Sequence, residues 1–302
     1  MATPILRVRV PATSANLGPG FDSFGVALPL VADFDLRPAR TWSVSVEGDG
    51  DGVPTGEDNL FVVAARATAA AAGASLPAHH VSQRSAIPLA RGLGSSAAAI
   101  VGGCVAANAA LGNPLDRRTL LRVASEVEGH SDNVAAALYG AFTLTLPTED
   151  GPAATRLAFP SGWRVCLFIP SRSLSTEQAR SVLSSSVTRA DAIFNLSHAA
   201  ALIAALLRAD GALLSVAMED RLHQPARRRL VPALDAIVAA SRAAGAFGAA
   251  LSGAGPSILA VAPARLAPRV IAAMEEAAAA AGAGGRARVL RVRAAGATVE
   301  RA

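Results

Sequence analysis

Between Pro88 and Ala99 the chain reads Pro-Leu-Ala-Arg-Gly-Leu-Gly-Ser-Ser-Ala-Ala-Ala. Gly92 and Gly94 open backbone conformations that a Cβ would forbid. Ser95 and Ser96 are good N-cap residues, and Ala97, Ala98 and Ala99 begin a helix that Ile100 and Val101 continue. A glycine turn opening a helix aims several N–H groups at one spot, and the helix dipole adds partial positive charge there. That is a phosphate site. The serine hydroxyls suit phosphate oxygens or Mg²⁺. A capped helix after a glycine turn, with no ligand, has the same local pattern. A Walker A loop would carry lysine after its last glycine, and a dinucleotide fingerprint would read G-x-G-x-x-G; neither is present. The chain has no lysine at all, so its 28 basic residues are all arginine. A Schiff-base lysine or a lysine general base is therefore excluded. Phosphate charge must be met by arginine, metal and backbone N–H groups.

Three other stretches gather polar side chains. Pro11 to Asp22 is rich in small residues and carries Thr13, Ser14, Asn16 and Asp22. It reads as a long turn, either a connector bonding its own backbone or a place for a small polar substrate. Glu126, Glu128, His130, Asp132 and Asn133 fall within eight residues. Gly129 reads as a helix C-cap, with Asp132 or Asn133 as the next N-cap. One histidine without a nearby cysteine makes a poor zinc site, whereas glutamate oxygens suit Mg²⁺ with bound phosphate. His223 to Arg229 ends in three adjacent arginines. Successive positions point differently, so one of them could reach a buried anion while the others stay solvated. A second Gly/Ser turn, Ser252-Gly253-Ala254-Gly255-Pro256, precedes an apolar strand.

The elements that must position these residues follow from periodicity. Leu6, Val8 and Val10 alternate with Arg7 and Arg9, and Trp42, Val44 and Val46 with Ser43, Ser45 and Glu47; both read as strands. Asp58-Asn59 caps a helix from Leu60 to about Ala72. A strand over 81–86 leads into the glycine turn, and the helix after it ends near Gly112. Thr119 to Val127 and Val134 to Leu138 are helical, and Phe142, Leu144 and Leu146 form a strand. The Pro/Gly/Thr-rich residues 147–162 are the expected boundary, dividing the chain into 1–155 and 156–302. Beyond it, Trp163, Val165, Leu167 and Ile169 read as a strand, Ser175 to Gln178 as a capping box, and Phe194 to Leu207 as an amphipathic helix. The second half reads β-α-α-α-β-α-β, helices on an antiparallel sheet, so the fold class is α+β.

Composition bounds the rest. Half of the 302 residues are hydrophobic, enough for a substantial core. The net charge is +5, but the arginines are scattered and aromatics are only 4%, too few for nucleic-acid stacking platforms. Anionic small molecules fit better, and no nucleic-acid partner is expected. The two cysteines, Cys104 and Cys166, suggest a reducing compartment. No secretory signal and no run of about 18 apolar residues is read, so a cytoplasmic protein without a membrane span is expected.

Taken together and in order, the first motif (Pro11 to Gly18), the Gly92 to Ala97 loop and the Ser252 to Pro256 turn resemble the three motifs of the GHMP kinases. The resemblance covers nearly the whole chain. The form of the first motif, and Glu128-Gly129-His130-Ser131-Asp132-Asn133-Val134, are most similar to the homoserine kinases of that family. The resemblance implies a mixed α/β ATP-binding half (1–155) and a ferredoxin-like α+β half (156–302). It implies ATP held by Pro88, Leu89, Ala90, Arg91, Gly92, Leu93, Gly94, Ser95, Ser96, Ala97 and Ala98, with Asn59 near the adenine. Ser96 and Glu128 match Mg²⁺ ligands, Glu126 being the alternative. Asn16, Asp22, His130, Asp132, Arg180 and Arg227 match contacts of the substrate amino acid, and Asn133 a residue near the transferred phosphoryl group. Asp132 is also a possible proton acceptor. The activity implied is transfer of the ATP γ-phosphate to the hydroxyl of L-homoserine, a step toward threonine, by a homodimer. A mevalonate-type Asp–Lys pair cannot exist without lysine, and loose phosphoryl transfer does not demand a strong base. Another small alcohol, such as shikimate, or a non-catalytic sensor of the same fold are the competing readings. Asp22 with two arginines favours a zwitterion over a neutral sugar, and the presence of Ser96 and Glu128 argues against the sensor.

Overall fold

The computed structural model describes residues 6–48 and 52–300. Asp49 and Asp51, acidic residues that could suggest calcium but that no glutamate completes into an EF-hand pattern, lie outside the described residues. A mixed sheet is built from β1 (Leu6–Asn16), β2 (Gly20–Pro38), β3 (Ser43–Glu47), β4 (His79–Ser85), β5 (Phe142–Leu146) and β6 (Ala153–Leu157). Leu6, Val8 and Val10 are buried, while Arg7 and Arg9 sit directly opposite Asp35 and Asp33 on β2. These pairs are bonded at 2.6 and 2.7 Å, so the polar face of the strand pair is matched charge to charge. Helices α1 (Leu60–Ala71), α2 (Ser95–Ala110), α3 (Arg117–Glu128) and α4 (Asp132–Tyr139) pack with it into one core.

The second sheet contains β7 (Trp163–Pro170), β8 (Gly248–Leu251), β9 (Ile258–Pro263) and β10 (Gly285–Leu290), antiparallel throughout in the order β10-β7-β9-β8. That is the ferredoxin-like order expected. Between β7 and β8 run α5 (Thr176–Ser181), α6 (Arg189–Arg208), α7 (Gly211–Ala217), α8 (Gln224–Arg227) and α9 (Leu234–Ala243); α10 (Ala267–Ala280) joins β9 to β10. A short strand, β11 (Thr298–Glu300), then returns to pair with β1 in the first sheet. A division at 155/156 falls inside β6, which still pairs with β5.

Three local readings change. The stretch from Pro11 to Asp22 is not one long turn. Strand β1 continues to Asn16, and only Leu17 to Pro19 turn before β2. Ala12, Thr13, Ser14 and Ala15 are all fully buried: small side chains let this strand run beneath the site, where a solvated turn could not lie. Ser95 and Ser96 do not cap α2. The cap position is Gly94 in the left-handed region (φ 68°), with no side-chain cap bond, and the serines are the first helical residues. Likewise Ser131, not Asp132 or Asn133, precedes α4.

Helix α6, at 20 residues and with an 18-residue window of mean hydropathy 1.6, is long and apolar enough to cross a membrane by length and composition alone, and 22% of that window is buried. Its contacts tie it to the body of the protein. Asn195 donates to Pro19 O and to Asp220 Oδ1, and Leu202, Ala205 and Leu206 are in the core.

Candidate active site

The polar motifs converge on one cavity of about 350 Å³ between the two sheets. Its floor is the loop before α2. Here the N–H groups of Ser95, Ser96 and Ala97 have no carbonyl one turn back to bond, as in any first helical turn. Gly94 is required twice over. Its φ is 68°, and a Cβ there would stand 2.0 Å from Thr13 Oγ1. Gly92 also has φ 68° and lies so close to the third motif that a Cβ would meet Ser252 O at 2.2 Å. Ser252 Oγ in turn donates to Gly92 O at 2.7 Å and is hydrogen-bonded with Ser14 Oγ at 2.8 Å, where the other hydroxyl must be the donor. All three glycine- and serine-rich motifs are thus in direct contact. Arg91 braces the loop by donating to Leu89 O, Pro170 O and Ser171 O, so its guanidinium serves the fold of the loop.

Pro88 to Ser96 line the cavity. Ala97 and Ala98 stand behind it, buried in the core. Asn59 lines the far end, but its side chain caps α1 through Phe61 N at 2.9 Å and donates to Pro54 O at 2.6 Å.

Ser96 donates to Glu128 Oε1 at 2.6 Å. Burial raises the pKa of Glu128, outweighing the Ser96 hydrogen bond and the charge of His130. Among the described residues no arginine pairs with it. Glu126, the alternative, instead points outward and accepts from Arg122. His130 Nδ1 is 2.7 Å from Asp132 Oδ1 and its Nε2 is 3.7 Å from Glu128 Oε1. Burial works against a charge on His130, but the Asp132 hydrogen bond and the two carboxylates outweigh it and raise its pKa. Asp132 Oδ1 also accepts from Asn133 N at 2.7 Å and Asn133 Nδ2 at 3.3 Å. Asn133 Oδ1 accepts from Thr13 Oγ1 at 2.7 Å, which sets Asn133 beside Gly94.

On the opposite wall Arg180 and Asp22 form a two-bond ion pair at 2.8 and 3.2 Å. Asn16, at φ 70°, donates to Gly253 O and accepts from Asp22 N, so it ties the first motif to the third. Of the three adjacent arginines, Arg227 turns inward and is 2% exposed, while Arg228 and Arg229 are exposed. Burial and the charge of Arg180 lower the Arg227 pKa to about 10.

Sequence patterns missed three residues. Thr13 was visible only as one polar residue of the first motif. Gln83 lines the cavity, is buried, and has an Oε1 without a partner; on a strand it gave no signal. His223, fully buried, contacts Arg227, and only its place four residues before that arginine hinted at it.

Residues 59–141 match the family described as GHMP kinases N terminal domain, and residues 202–280 the one described as GHMP kinases C terminal. Homoserine kinase of Desulfitobacterium hafniense is 42% identical over 98% of this chain and 100% of its own. The chain belongs to the GHMP kinases, among the homoserine kinases. Homoserine kinase of Deinococcus radiodurans is 45% identical over 83% of this chain and 82% of its own. A crystal structure of homoserine kinase from Cytophaga hutchinsonii superposes with a TM-score of 0.89 at 30% identity, covering 99% of each chain. Streptococcus pneumoniae phosphomevalonate kinase, at 14% identity and a TM-score of 0.70, shares the fold. In GHMP kinase terms, the glycine loop, the Ser96–Glu128 pair and the arginine wall all face one volume.

Proposed function

We propose that the chain transfers the γ-phosphoryl group of ATP to the hydroxyl of L-homoserine, giving ADP and O-phospho-L-homoserine, a step toward threonine. The observation that carries this reading is a cavity with an anion-holding feature at each end: open N–H groups at Gly94 to Ser96, and the buried Arg227 with Arg180 across from them. One end suits phosphates, and the other a carboxylate met by guanidinium groups. Asp22 and Asp132 line the same cavity, which suits a zwitterion better than a neutral sugar.

Residues 1–155 supply the nucleotide side in this reading, and residues 156–302 supply Arg180 and Arg227. Ser96 and Glu128 fit Mg²⁺. They are hard oxygen donors already 2.6 Å apart, and the glutamate is buried with only His130, 3.7 Å away, as an ion-pair partner among the described residues. Among the described residues no three His, Cys, Asp or Glu cluster as a full metal site, so nucleotide phosphates would complete the shell. Bound there, Mg²⁺ would neutralise charge on the phosphates.

The chain's own residues orient the acceptor, and the base this reading supplies is a weak one: of Asp132 only Oδ2 is left without a hydrogen bond among the described residues. Asp132 Oδ1 already accepts three hydrogen bonds, and His130 is held toward its protonated form. The homoserine hydroxyl therefore loses its proton late, to the phosphoryl oxygens, in a loose transition state. Asn133, steered by Thr13, stands beside the loop to position the phosphoryl group. Two free buried cysteines suit the cytoplasm. A homodimer would cover the exposed Ile193, Leu196 and Leu207 of α6.

An ADP-release assay with Mg²⁺ and ATP, offering L-homoserine, shikimate, mevalonate and galactose separately, tests the reading. Turnover confined to homoserine is expected. Turnover with another alcohol keeps the kinase and removes the threonine step, and ATP binding without turnover of any of the four supports a sensor.

A further inference from the structure

Arg227 carries a buried charge, yet among the described residues every hydrogen-bond partner it has is neutral. Nε donates to Ala179 O at 3.0 Å, and Nη1 donates to His223 Nδ1 at 3.1 Å and to Gly253 O at 3.3 Å. Among the described residues nothing accepts from Nη2, and Arg227 lines the cavity. A buried guanidinium is ordinarily paired with a carboxylate. Such a partner here would fix the side chain but cancel the charge. A neutral acceptor fixes it and leaves the charge for a ligand.

The chemistry of its neighbours sets the state of His223. Gly18 O, 2.9 Å from Nε2, can only accept, so Nε2 carries the hydrogen. The guanidinium can only donate, so Nδ1 is bare. Both bonds exist together only in the neutral Nε2–H tautomer. The nearest carboxylate, Asp220, is 3.6 Å from Nε2. It is engaged by Asn195 Nδ2 and by the N–H groups of Leu222, His223 and Gln224. Phe21 stacks on the imidazole with centroids 5.3 Å apart and lies 5.5 Å from the Arg227 guanidinium carbon. The ring has no freedom to turn away.

We infer that His223 is a positioning residue: as a neutral acceptor it aims Arg227 into the cavity with its charge intact, and so sets the preference for an alcohol bearing a carboxylate over one without it. The inference rests on the homoserine reading above and deepens it.

The test compares kcat/KM for L-homoserine with that for propanolamine, which is homoserine without its carboxylate. Wild type, His223→Gln, His223→Leu and His223→Glu are measured, with KM for ATP and the melting temperature followed in parallel. Wild type should prefer homoserine strongly. His223→Leu removes the acceptor and His223→Glu cancels the charge. Each should cut the preference by about ten- to a hundredfold, the range for a hydrogen bond to a charged group, through KM for homoserine. Propanolamine turnover and KM for ATP should stay level. His223→Gln, again a neutral acceptor, should restore most of the preference. If His223→Leu does not fold, His223→Glu, which pairs with Arg227, carries the comparison. Wild-type preference retained in the folded Leu or Glu variants overturns the inference alone, as does a parallel fall with both alcohols. A wild-type enzyme that does not prefer homoserine overturns the functional reading, and the inference with it.

Discussion

At the glycine loop, Gly92 to Ser96 offer an anion main-chain N–H groups whose direction is set by two left-handed glycines. Across the cavity, Arg180 and Arg227 carry side-chain charges whose direction is set by a network of neighbours, with Asp22, His223 and two main-chain carbonyls in it. The first device has no rotamers to lose and tolerates no Cβ. The second depends on a chain of contacts in which each member can be replaced, at a graded cost. Precision in the first region is therefore built into the backbone, and in the second it is distributed among neighbours.

The largest expected effect breaks the backbone device. Gly94→Ala would set a Cβ 2.0 Å from Thr13 Oγ1 at a φ that disfavours any L side chain. A displaced loop should lower kcat/KM for ATP by about a hundredfold or more, while calorimetric binding of homoserine is little changed. Glu128→Gln keeps a hydrogen-bond acceptor for Ser96 but removes the charge. Turnover should fall by about a hundredfold, with partial recovery at high Mg²⁺, read from steady-state kinetics against metal concentration. Because burial raises the Glu128 pKa, wild-type turnover at limiting Mg²⁺ should weaken as pH falls, whereas saturating Mg²⁺ should offset the loss.

On the side-chain wall, Arg227→Gln should raise KM for homoserine about tenfold or more and leave KM for ATP level, the mirror image of Gly94→Ala. A smaller effect concerns stability. Burial, aided by the charge of Arg227 and opposed by those of Asp220 and Asp22, lowers the His223 pKa. The folded protein then binds fewer protons at this site than the unfolded chain. Stability rises with pH across that interval and is lost as pH falls below about 6.5. The melting temperature of His223→Gln should show a shallower decline through the same range. The smallest effect sharpens the contrast within one arginine run. Arg228 pairs with Asp235 at 3.0 Å with both side chains 61% exposed, so Arg228→Ala should stay within about 0.5 kcal/mol of wild type and leave both KM values unchanged.

The legible parts of this molecule are those whose chemistry is local. The glycine loop, the helix that follows it and the Glu128 to Asn133 cluster could be read in order because each works over a few residues. That the second half sets helices on an antiparallel sheet followed from the succession of elements, while its ferredoxin-like form came from the family resemblance. What escaped reading depends on partners remote in sequence. Ser95 and Ser96 look like caps until Glu128, 32 residues on, claims the Ser96 hydroxyl. The first motif looks like a turn because its small polar residues are turn formers, and only the burial under the loop and Ser252 makes it a strand. Strand β6 hides in a Pro- and Thr-rich stretch, and β8 in a run of alanines too short for periodicity. Asn16 lines the cavity as a substrate contact would, but that its amide also joins Gly253 and Asp22 could not be read from the motif. Gln83 and His223 matter for what faces them, which no spacing records.

The return of β11 to β1 has a consequence for synthesis. Arg7 pairs with Glu300, so one edge of the first strand waits for a partner nearly three hundred residues later. At ribosomal rates that interval is on the order of tens of seconds. Until it closes, the strand that carries the first motif presents open N–H and C=O groups to any neighbouring chain. Arg7 and Arg9, alternating along that strand, put like charge on every copy and oppose such pairing. The same two residues that match Asp35 and Asp33 in the finished sheet thus guard the nascent chain against its siblings.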